Sequence, residues 1–278
     1  MRFADMHTHT TASDGICEPT DNVRMASEIG LDAIAITDHD TVAGINEALD
    51  AGVQYGILVI PGVEISTAVD GNEVHMLGYG VDYNNSLFLD RLRSLREVRN
   101  RRNELIFERL ASLGMPITLE EVEAVKGKSE RDDETIGRPH IAQVLVERGF
   151  VNNMQQAFDL YLAEGKAAYV SPLRITPVEA VSWIHDAGGI AVIAHPGIYH
   201  NDNVVKEILD QGADGIEAYH SDHDDKAEQR YKKMAIDAQK FITGGSDFHG
   251  VREGVAYHGP IGNRKVDITE IEKWLLKR

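Results

Sequence analysis

The stretch Asp32-Ala-Ile-Ala-Ile-Thr37-Asp38-His39 indicates the fold class of this 278-residue chain. A short apolar run of small and β-branched residues is typical of a strand that is buried on both faces of a parallel sheet. The run ends directly in an acidic residue and a histidine, which a buried strand does not need for packing. We therefore interpret it as a parallel strand whose carboxyl end carries functional side chains.

Other apolar runs of the same character alternate with helical patterns along the chain. Helix starts are marked by caps: Thr176-Pro-Val-Glu179 and Thr118-Leu-Glu-Glu121 each place a glutamate three residues after a capping threonine. The alternation predicts an α/β fold with parallel strands joined by helices. The predicted strands are 2–6, 32–37, 58–65, 74–79, 189–194, 215–219 and 241–244.

The region 85–168 interrupts this alternation, because it contains helical patterns and no convincing strand. Helices are predicted at 87–113, 118–125, 139–148 and 154–162. The polar stretch 126–135 is predicted to be a mobile loop. We therefore expect a β/α domain made of residues 1–84 and 169–278, with residues 85–168 as a helical insertion that covers its open end.

The composition disfavours several classes of protein. The formal net charge is −17, so the chain lacks the general basic surface with which proteins bind the nucleic-acid backbone. It also lacks an apolar run of about 18 residues, the length that a membrane span needs. The sequence starts without a signal-peptide pattern and contains one cysteine, Cys17, so we expect a cytoplasmic protein. Nothing in the sequence implies a membrane or a stable protein partner.

Histidines and carboxylates recur at or just after the ends of the predicted strands. In a β/α barrel, the carboxyl ends of the strands meet at one face, so these residues can share one site. Residues two apart in an extended chain point the same way, as the rings of His7 and His9 would. Imidazole and carboxylate groups together suit zinc, iron or manganese. The residues that we expect to bind metal are His7, His9, Asp14, His39, Glu64, His75, His195, Asp247 and His249.

The order of these motifs resembles the PHP (polymerase and histidinol phosphatase) superfamily of metal-dependent phosphoesterases. The motifs that carry the resemblance are Asp5-Met-His7-Thr-His9, Ser13-Asp14-Gly15, Thr37-Asp38-His39-Asp40, Gly62-Val-Glu64, His75, His195-Pro196 and Gly245-Ser-Asp247-Phe-His249. The resemblance implies a distorted, TIM-like barrel of about seven β/α units. The chain is similar to bacterial members with a helical insertion, some of which dephosphorylate nucleoside 3′,5′-bisphosphates or trim RNA from its 5′ end.

The resemblance also implies how two or three divalent ions are shared among the ligands. The first ion would be bound by His7, His9, Glu64 and Asp247. Glu64 would bridge to a second ion, which His75 and His195 complete. The third ion would be bound by Asp14, His39 and His249. Manganese is frequent in this superfamily, and iron or zinc also occur.

Such a site would hydrolyse a phosphomonoester or phosphodiester with a metal-bridged hydroxide. Asp38 and Asp5 are candidates to orient a histidine ring, with loop hydrogen bonding as the equal alternative. His220 follows the strand 215–219 and is a candidate general acid, with a plain role in the site wall as the alternative. The remaining histidines His185, His200, His223 and His258 are expected to have structural or surface roles.

Phosphate contacts are expected from cationic side chains and helix starts. The candidates are Arg138 and His140 at the start of an insertion helix, and Lys166 near the point where the insertion returns to the barrel. Similar residues occur in the nucleotide-cleaving relatives. These residues favour a phosphorylated nucleotide or a short RNA as the substrate. The six arginines between 91 and 102 either guide such an anion or form a solvated helix face, and we favour the second interpretation.

Three other functions are compatible with parts of the pattern. A histidinol-phosphate-type phosphatase would use the same metals on a smaller substrate. An amidohydrolase also begins with a His-x-His motif on a barrel but generally bridges its metals with a strand-end lysine, whereas this chain has Glu64 there. A non-catalytic metal-binding module would be favoured if expected ligands were missing, and all are present.

Overall fold

The computed structural model describes residues 2–127, 131, 133–252 and 254–275. Each of the seven predicted strands is present, and three short strands are added. The strands are β1 (Phe3–Asp5), β2 (Ala33–Ile36), β3 (Leu58–Val69), β4 (Asn72–Tyr79), β5 (Ile190–Ile193), β6 (Gly215–His220), β7 (Phe241–Gly245), β8 (Val251–Arg252), β9 (Val255–Ala256) and β10 (Val266–Asp267). β8 and β9 form a separate hairpin, and the other strands form one sheet with the order β10-β1-β2-β3-β4-β5-β6-β7.

The sheet curves into a nearly closed barrel, because the chain after β1 contacts the end of β7 and the residues that follow it. The Met6 N–H donates to the Gly244 carbonyl oxygen (3.2 Å), and the Asp247 N–H donates to the His7 carbonyl oxygen (2.9 Å). Thr8 and Phe248 add a parallel bridge. The predicted barrel is therefore confirmed, and its closure places the two His-containing motifs side by side.

The prediction that the strands are parallel is wrong for β4, which runs antiparallel to both β3 and β5. The reason is the turn Asp70-Gly71, whose φ angles of 50° and 84° suit a two-residue hairpin. The short β10 is also antiparallel to β1. Because β4 runs in reverse, the first half of this strand, with His75, lies at the same end of the barrel as the carboxyl ends of the parallel strands.

The helices are α1 (Pro19–Glu28), α2 (Ile45–Tyr55), α3 (Ser86–Ser112), α4 (Leu119–Lys126), α5 (Arg138–Glu147), α6 (Met154–Ala157), α7 (Pro177–Asp186), α8 (Asp202–Asp210), α9 (Asp225–Asp237) and α10 (Ile268–Leu275). A π-helical turn (Phe158–Leu162) follows α6, and a 3-10 turn (Pro196–Tyr199) follows β5. Both predicted capping boxes are present, at Thr118 and at Thr176. Among the described residues, no helix is long and apolar enough to cross a membrane.

The region 85–168 has a hydrophobic core of its own. Ile106, Leu110, Ile141, Leu145 and Leu162 are fully buried in one cluster. The first half of α3 instead packs into the barrel core through Phe88, Leu92 and Leu95. On this basis we propose that residues 85–168 form the helical subdomain that the sequence predicts, with α3 as its attachment. Of the predicted loop 126–135, residues 128–130 and 132 lie outside the described residues.

Candidate metal centre

The predicted metal-binding side chains come together at the carboxyl end of the barrel. Their donor atoms form several groups that share members. Within each group, all donor atoms lie within 4.8 Å of one another. Among the described residues, the groups are His9 with Asp14, His39 and His249; His7 with Glu64 and His195; His39 with Glu64 and His75; His7 with His220 and Asp247; and Asp247 with His249 and His258. All nine predicted ligands are members of at least one group, which fits two or more neighbouring ions. Metal binding by each residue stays a prediction.

Glu64 is the carboxylate at the centre of these groups. Its Oε1 lies 2.8 Å from His75 Nδ1 and 3.0 Å from His195 Nε2, and its Oε2 lies 2.8 Å from His39 Nδ1. Burial alone would raise the pKa of Glu64, but His39, His75 and His7 hold it well below its usual range. The carboxylate is therefore ionised, which is the form that can bridge two cations.

Several buried polar atoms at this centre lack a hydrogen-bond partner among the described residues. They include Asp14 Oδ1, His39 Nδ1 and Asp247 Oδ1, although other imidazole and carboxylate atoms lie close to them. His7 Nε2 also lies only 3.1 Å from His9 Nε2. Native proteins rarely leave buried polar atoms unpaired, and cations held by these groups would give such atoms partners. The donor set of imidazoles and carboxylates thus fits divalent metal ions.

The protonation of the rings differs within the centre. Burial lowers the pKa of His39 and of His195 to about 4, so both rings are neutral, as a metal ligand must be. Burial also lowers the pKa of His9, but its hydrogen bonds to Asp247 and Glu64 outweigh burial and raise the pKa to about 10. A metal ion would have to displace the proton from His9.

Glu217 is a functional candidate that the sequence analysis missed. It is fully buried, its Oε1 lies 3.0 Å from His7 Nδ1, and its Oε2 accepts a hydrogen bond from the His195 N–H (2.8 Å). Histidines that bind metal commonly donate their second ring N–H to such a carboxylate. The signal was available, because Glu217 is a charged residue within the apolar strand 215–219.

Asp38 and Asp5 do not contact a histidine ring. Asp38 accepts hydrogen bonds from the Thr10 N–H (2.8 Å), the Thr10 hydroxyl (2.7 Å) and the Ser13 hydroxyl (2.6 Å). Asp5 accepts from the backbone of His7, Ser246 and Gly262, and burial raises its pKa to about 6. These contacts are the loop hydrogen bonding of the second alternative, and a catalytic role for Asp38 stays a prediction.

His220 and His258 also lie at the centre. His220 is fully buried, with its Nε2 3.3 Å from Asp247 Oδ2 and its Nδ1 accepting from the Asp222 N–H (3.1 Å). Both ring nitrogens thus have protein partners, which favours the site-wall role over the general-acid role. His258 was expected to be structural or at the surface, but its Nε2 lies 3.5 Å from Asp247 Oδ2 and its Nδ1 2.5 Å from Asp222 Oδ2.

Three of the six arginines between 91 and 102 are buried, so the interpretation favoured above, a solvated helix face, is wrong for these three. Arg96, Arg99 and Arg102 are only 7%, 5% and 2% exposed. Arg99 Nε pairs with Asp40 Oδ2 (2.5 Å), and its Nη2 donates to the Ser66 hydroxyl (2.6 Å). The spacing of these three arginines places them on one side of the helix, which faces the barrel.

Four arginines form what we call the arginine cluster: Arg99, Arg102, Arg138 and Arg174. Burial and the positive charges of the other three lower the pKa of Arg102 well below its usual range. Among the described residues, the hydrogen bonds of the Arg102 guanidinium go only to Asn103 Oδ1. Arg138 and Arg174 share one carboxylate, that of Glu73, at 2.9 Å and 2.6 Å. The cluster therefore carries buried positive charge that the protein itself only partly neutralises.

The other two predicted phosphate-binding residues are placed differently. His140 is buried at the start of α5, where its Nδ1 accepts from the Gly137 N–H (3.1 Å). Lys166 is exposed, and among the described residues its ammonium group has no ion pair with a carboxylate. Arg138 thus pairs with Glu73 next to His75, and His140 has a capping contact, while phosphate binding by Arg138, His140 and Lys166 stays a prediction.

Comparisons with known proteins agree with this geometry. The PHP domain profile matches residues 5–166. The 5′-3′ exoribonuclease of Haemophilus influenzae is 37% identical over 250 residues, 88% of this chain and 89% of that one. The 3′,5′-nucleoside bisphosphate phosphatase of Chromobacterium violaceum is 35% identical over 267 residues, 91% of this chain and 90% of that one. A crystal structure from Bifidobacterium adolescentis, described as a metal-dependent phosphoesterase, superposes with a TM-score of 0.89 at 31% identity, covering 99% of this chain and 96% of that one.

Proposed function

This chain belongs to the PHP domain family and is a metal-dependent phosphoesterase, and we propose that its substrate is a phosphorylated nucleotide. The substrate class is a nucleoside 3′,5′-bisphosphate or a short RNA with a 5′-phosphate. One observation carries this proposal: the arginine cluster lies beside the metal centre and is joined to it through Glu73 and His75. A substrate with two phosphate groups can then be held at both places at once.

We propose that the nine residues predicted as ligands hold two or three divalent ions, with manganese as the first choice and iron or zinc as alternatives. When bound, the ions supply an activated water and neutralise charge on the reacting phosphate. Glu64 would bridge two of these ions, since its two oxygens face His75 and His195 on one side and His39 on the other.

The remaining residues position the substrate and the ligands. Glu217 fixes the rotation of the His7 ring and the backbone of His195. Arg99 fixes the loop that carries His39, because it pairs with Asp40. Arg138 and Arg174 present guanidinium groups that suit a phosphate, since they donate several hydrogen bonds in a planar arrangement.

A histidinol-phosphate-type phosphatase is the alternative, and it would have no use for a second anion site. The test is phosphate release by the manganese-reconstituted protein from adenosine 3′,5′-bisphosphate, AMP, histidinol phosphate and a 5′-phosphorylated oligoribonucleotide. We expect turnover of the bisphosphate or of the oligoribonucleotide to exceed that of AMP and histidinol phosphate. Preferential turnover of histidinol phosphate would replace this proposal by the alternative.

A further inference from the structure

Glu73 is the point at which the metal centre and the arginine cluster meet. It lies on β4 two residues before His75, so both side chains are on the same face of the strand. Its Oε1 lies 3.2 Å from His75 Nε2 and 2.6 Å from Arg174 Nη1, and its Oε2 lies 2.9 Å from Arg138 Nη2. One carboxylate therefore contacts a predicted metal ligand and two predicted phosphate-binding groups.

The contact with His75 fixes which ring nitrogen faces the metal centre. His75 Nδ1 lies 2.8 Å from Glu64 Oε1, whereas Nε2 points to Glu73. A ring that donates its Nε2–H to a carboxylate keeps Nδ1 available as a metal ligand, and such outer partners raise metal affinity. Glu73 thus has the position of an orienting partner for His75.

The contact with the arginines leaves their charge incompletely balanced. Arg99 has Asp40 as a partner. Among the described residues, Arg138 and Arg174 have only Glu73 within ion-pair distance, and Arg102 has no carboxylate within that distance. Buried positive charge without a partner is unfavourable, so a site of this kind is complementary to a further anion. That anion would compete with Glu73 for the same guanidinium groups.

We propose that Glu73 is the resident counter-ion of the arginine cluster and that a phosphate group replaces it on Arg138 and Arg174. Glu73 also positions His75 for metal binding. The inference deepens the proposed function and rests on it for the identity of the phosphate carrier. Once the phosphate is bound, Glu73 retains His75 as its partner. Anion binding and the orientation of a metal ligand are thus linked through one side chain.

The test is carried out without turnover, by titrating the full-length protein. In chelator-treated protein, we expect Glu73→Gln to bind inorganic phosphate about tenfold more tightly than wild type, because the competing charge is removed. In the absence of phosphate, we expect the same variant to bind Mn²⁺ about ten- to a hundredfold more weakly, because the His75 ring loses its charged partner. Opposite changes in the two affinities are a result that general damage to the fold would not produce.

Three further variants make the test specific. Adding Arg174→Gln to Glu73→Gln should abolish the gain in phosphate affinity. Asp186→Asn removes a carboxylate that pairs with Arg91 (2.7 Å) at the opposite end of the barrel, and it should change neither affinity. If Glu73→Gln does not fold, Glu73→Asp, whose shorter carboxylate cannot reach both partners, is expected to show the same signs.

Phosphate affinity that is unchanged or weaker in the folded Glu73 variant would overturn the counter-ion role. Unchanged Mn²⁺ affinity would overturn the positioning role. Neither result depends on which phosphoester the wild-type enzyme cleaves. A wild-type protein without turnover of any nucleotide would instead end the proposed function, while the titrations would still decide this inference.

Discussion

His7 Nδ1 lies 3.0 Å from Glu217 Oε1, although 210 residues separate the two in the chain. The contact joins the segment that follows β1 to strand β6, and both side chains are fully buried. Burial alone would raise the pKa of Glu217, but His7 outweighs it and lowers the pKa below its usual value. The ionised carboxylate holds Nδ1 of His7, so Nε2 is the nitrogen that faces the metal centre.

Replacing Glu217 by Gln should weaken metal binding without removing a ligand. An amide can still accept the ring N–H, but it lacks the charge that makes the imidazole a stronger donor to a cation. We expect the affinity for Mn²⁺ to fall about ten- to a hundredfold, measured by competition with a chelator. Glu207→Gln, an exposed position on α8, is the control. Equal affinities in Glu217→Gln and wild type would show that Glu217 does not act through His7.

Replacing His7 or Asp247 by Ala should remove bound metal together with phosphoesterase activity. Each residue belongs to two of the groups that can hold an ion, so its loss affects more than one position. Metal content by elemental analysis and phosphate release are the two measurements. His200→Asn is the matched control, because His200 is exposed and its φ of 51° is one that asparagine tolerates. Full activity in either Ala variant would refute the site assignment.

The sequence predicted the barrel and its histidine-rich end because most ligand candidates lie at or just after the end of an apolar run, and the carboxyl ends of barrel strands meet at one face. The direction of β4 was not predicted, although the Asp70-Gly71 pair between the two strands indicates a hairpin and therefore an antiparallel strand. The burial of Arg99 and Arg102 was not predictable from spacing alone, since a helix face becomes buried only through what packs on it. The left-handed backbone conformation of His195 (φ 24°) and Asp247 (φ 54°) could not be predicted from the sequence either, because non-glycine residues adopt it only under tertiary constraint.

Replacing Arg138 by Ala should mainly raise KM for a phosphorylated nucleotide. Its guanidinium pairs with Glu73 and, being cationic, is not a metal ligand, so we expect it to contribute to substrate binding rather than to the reacting centre. Hydrogen bonds between charged groups are worth about 1.5–3 kcal/mol, which predicts a rise in KM of roughly ten- to 150-fold. Steady-state kinetics with adenosine 3′,5′-bisphosphate measure it, and Arg93→Ala, an exposed arginine on α3, is the control. An unchanged KM would remove Arg138 from the phosphate site.

Acidification should destabilise the fold through His223, which lies behind the metal centre. Its Nδ1–H donates to the Ala218 carbonyl oxygen (2.9 Å), and its Nε2 accepts from the Gly197 N–H (3.0 Å), two residues after His195. Burial lowers the pKa of this ring below 6.5. The ring therefore stays neutral in the folded protein over a pH range in which the unfolded chain takes up a proton.

The sign of the effect follows from that difference. Above pH 6.5 both states are neutral at His223, and its contribution to stability is complete. Below that pH the unfolded state binds the additional proton, so the free energy of unfolding falls by up to about 1.4 kcal/mol per pH unit. Urea unfolding of metal-free wild type and His223→Gln, compared between pH 7.5 and 5.5, isolates this contribution, because the histidines of the metal centre are common to both proteins. We expect the wild type to lose more stability than the variant on acidification, and parallel losses in the two proteins would show that His223 is not the group responsible.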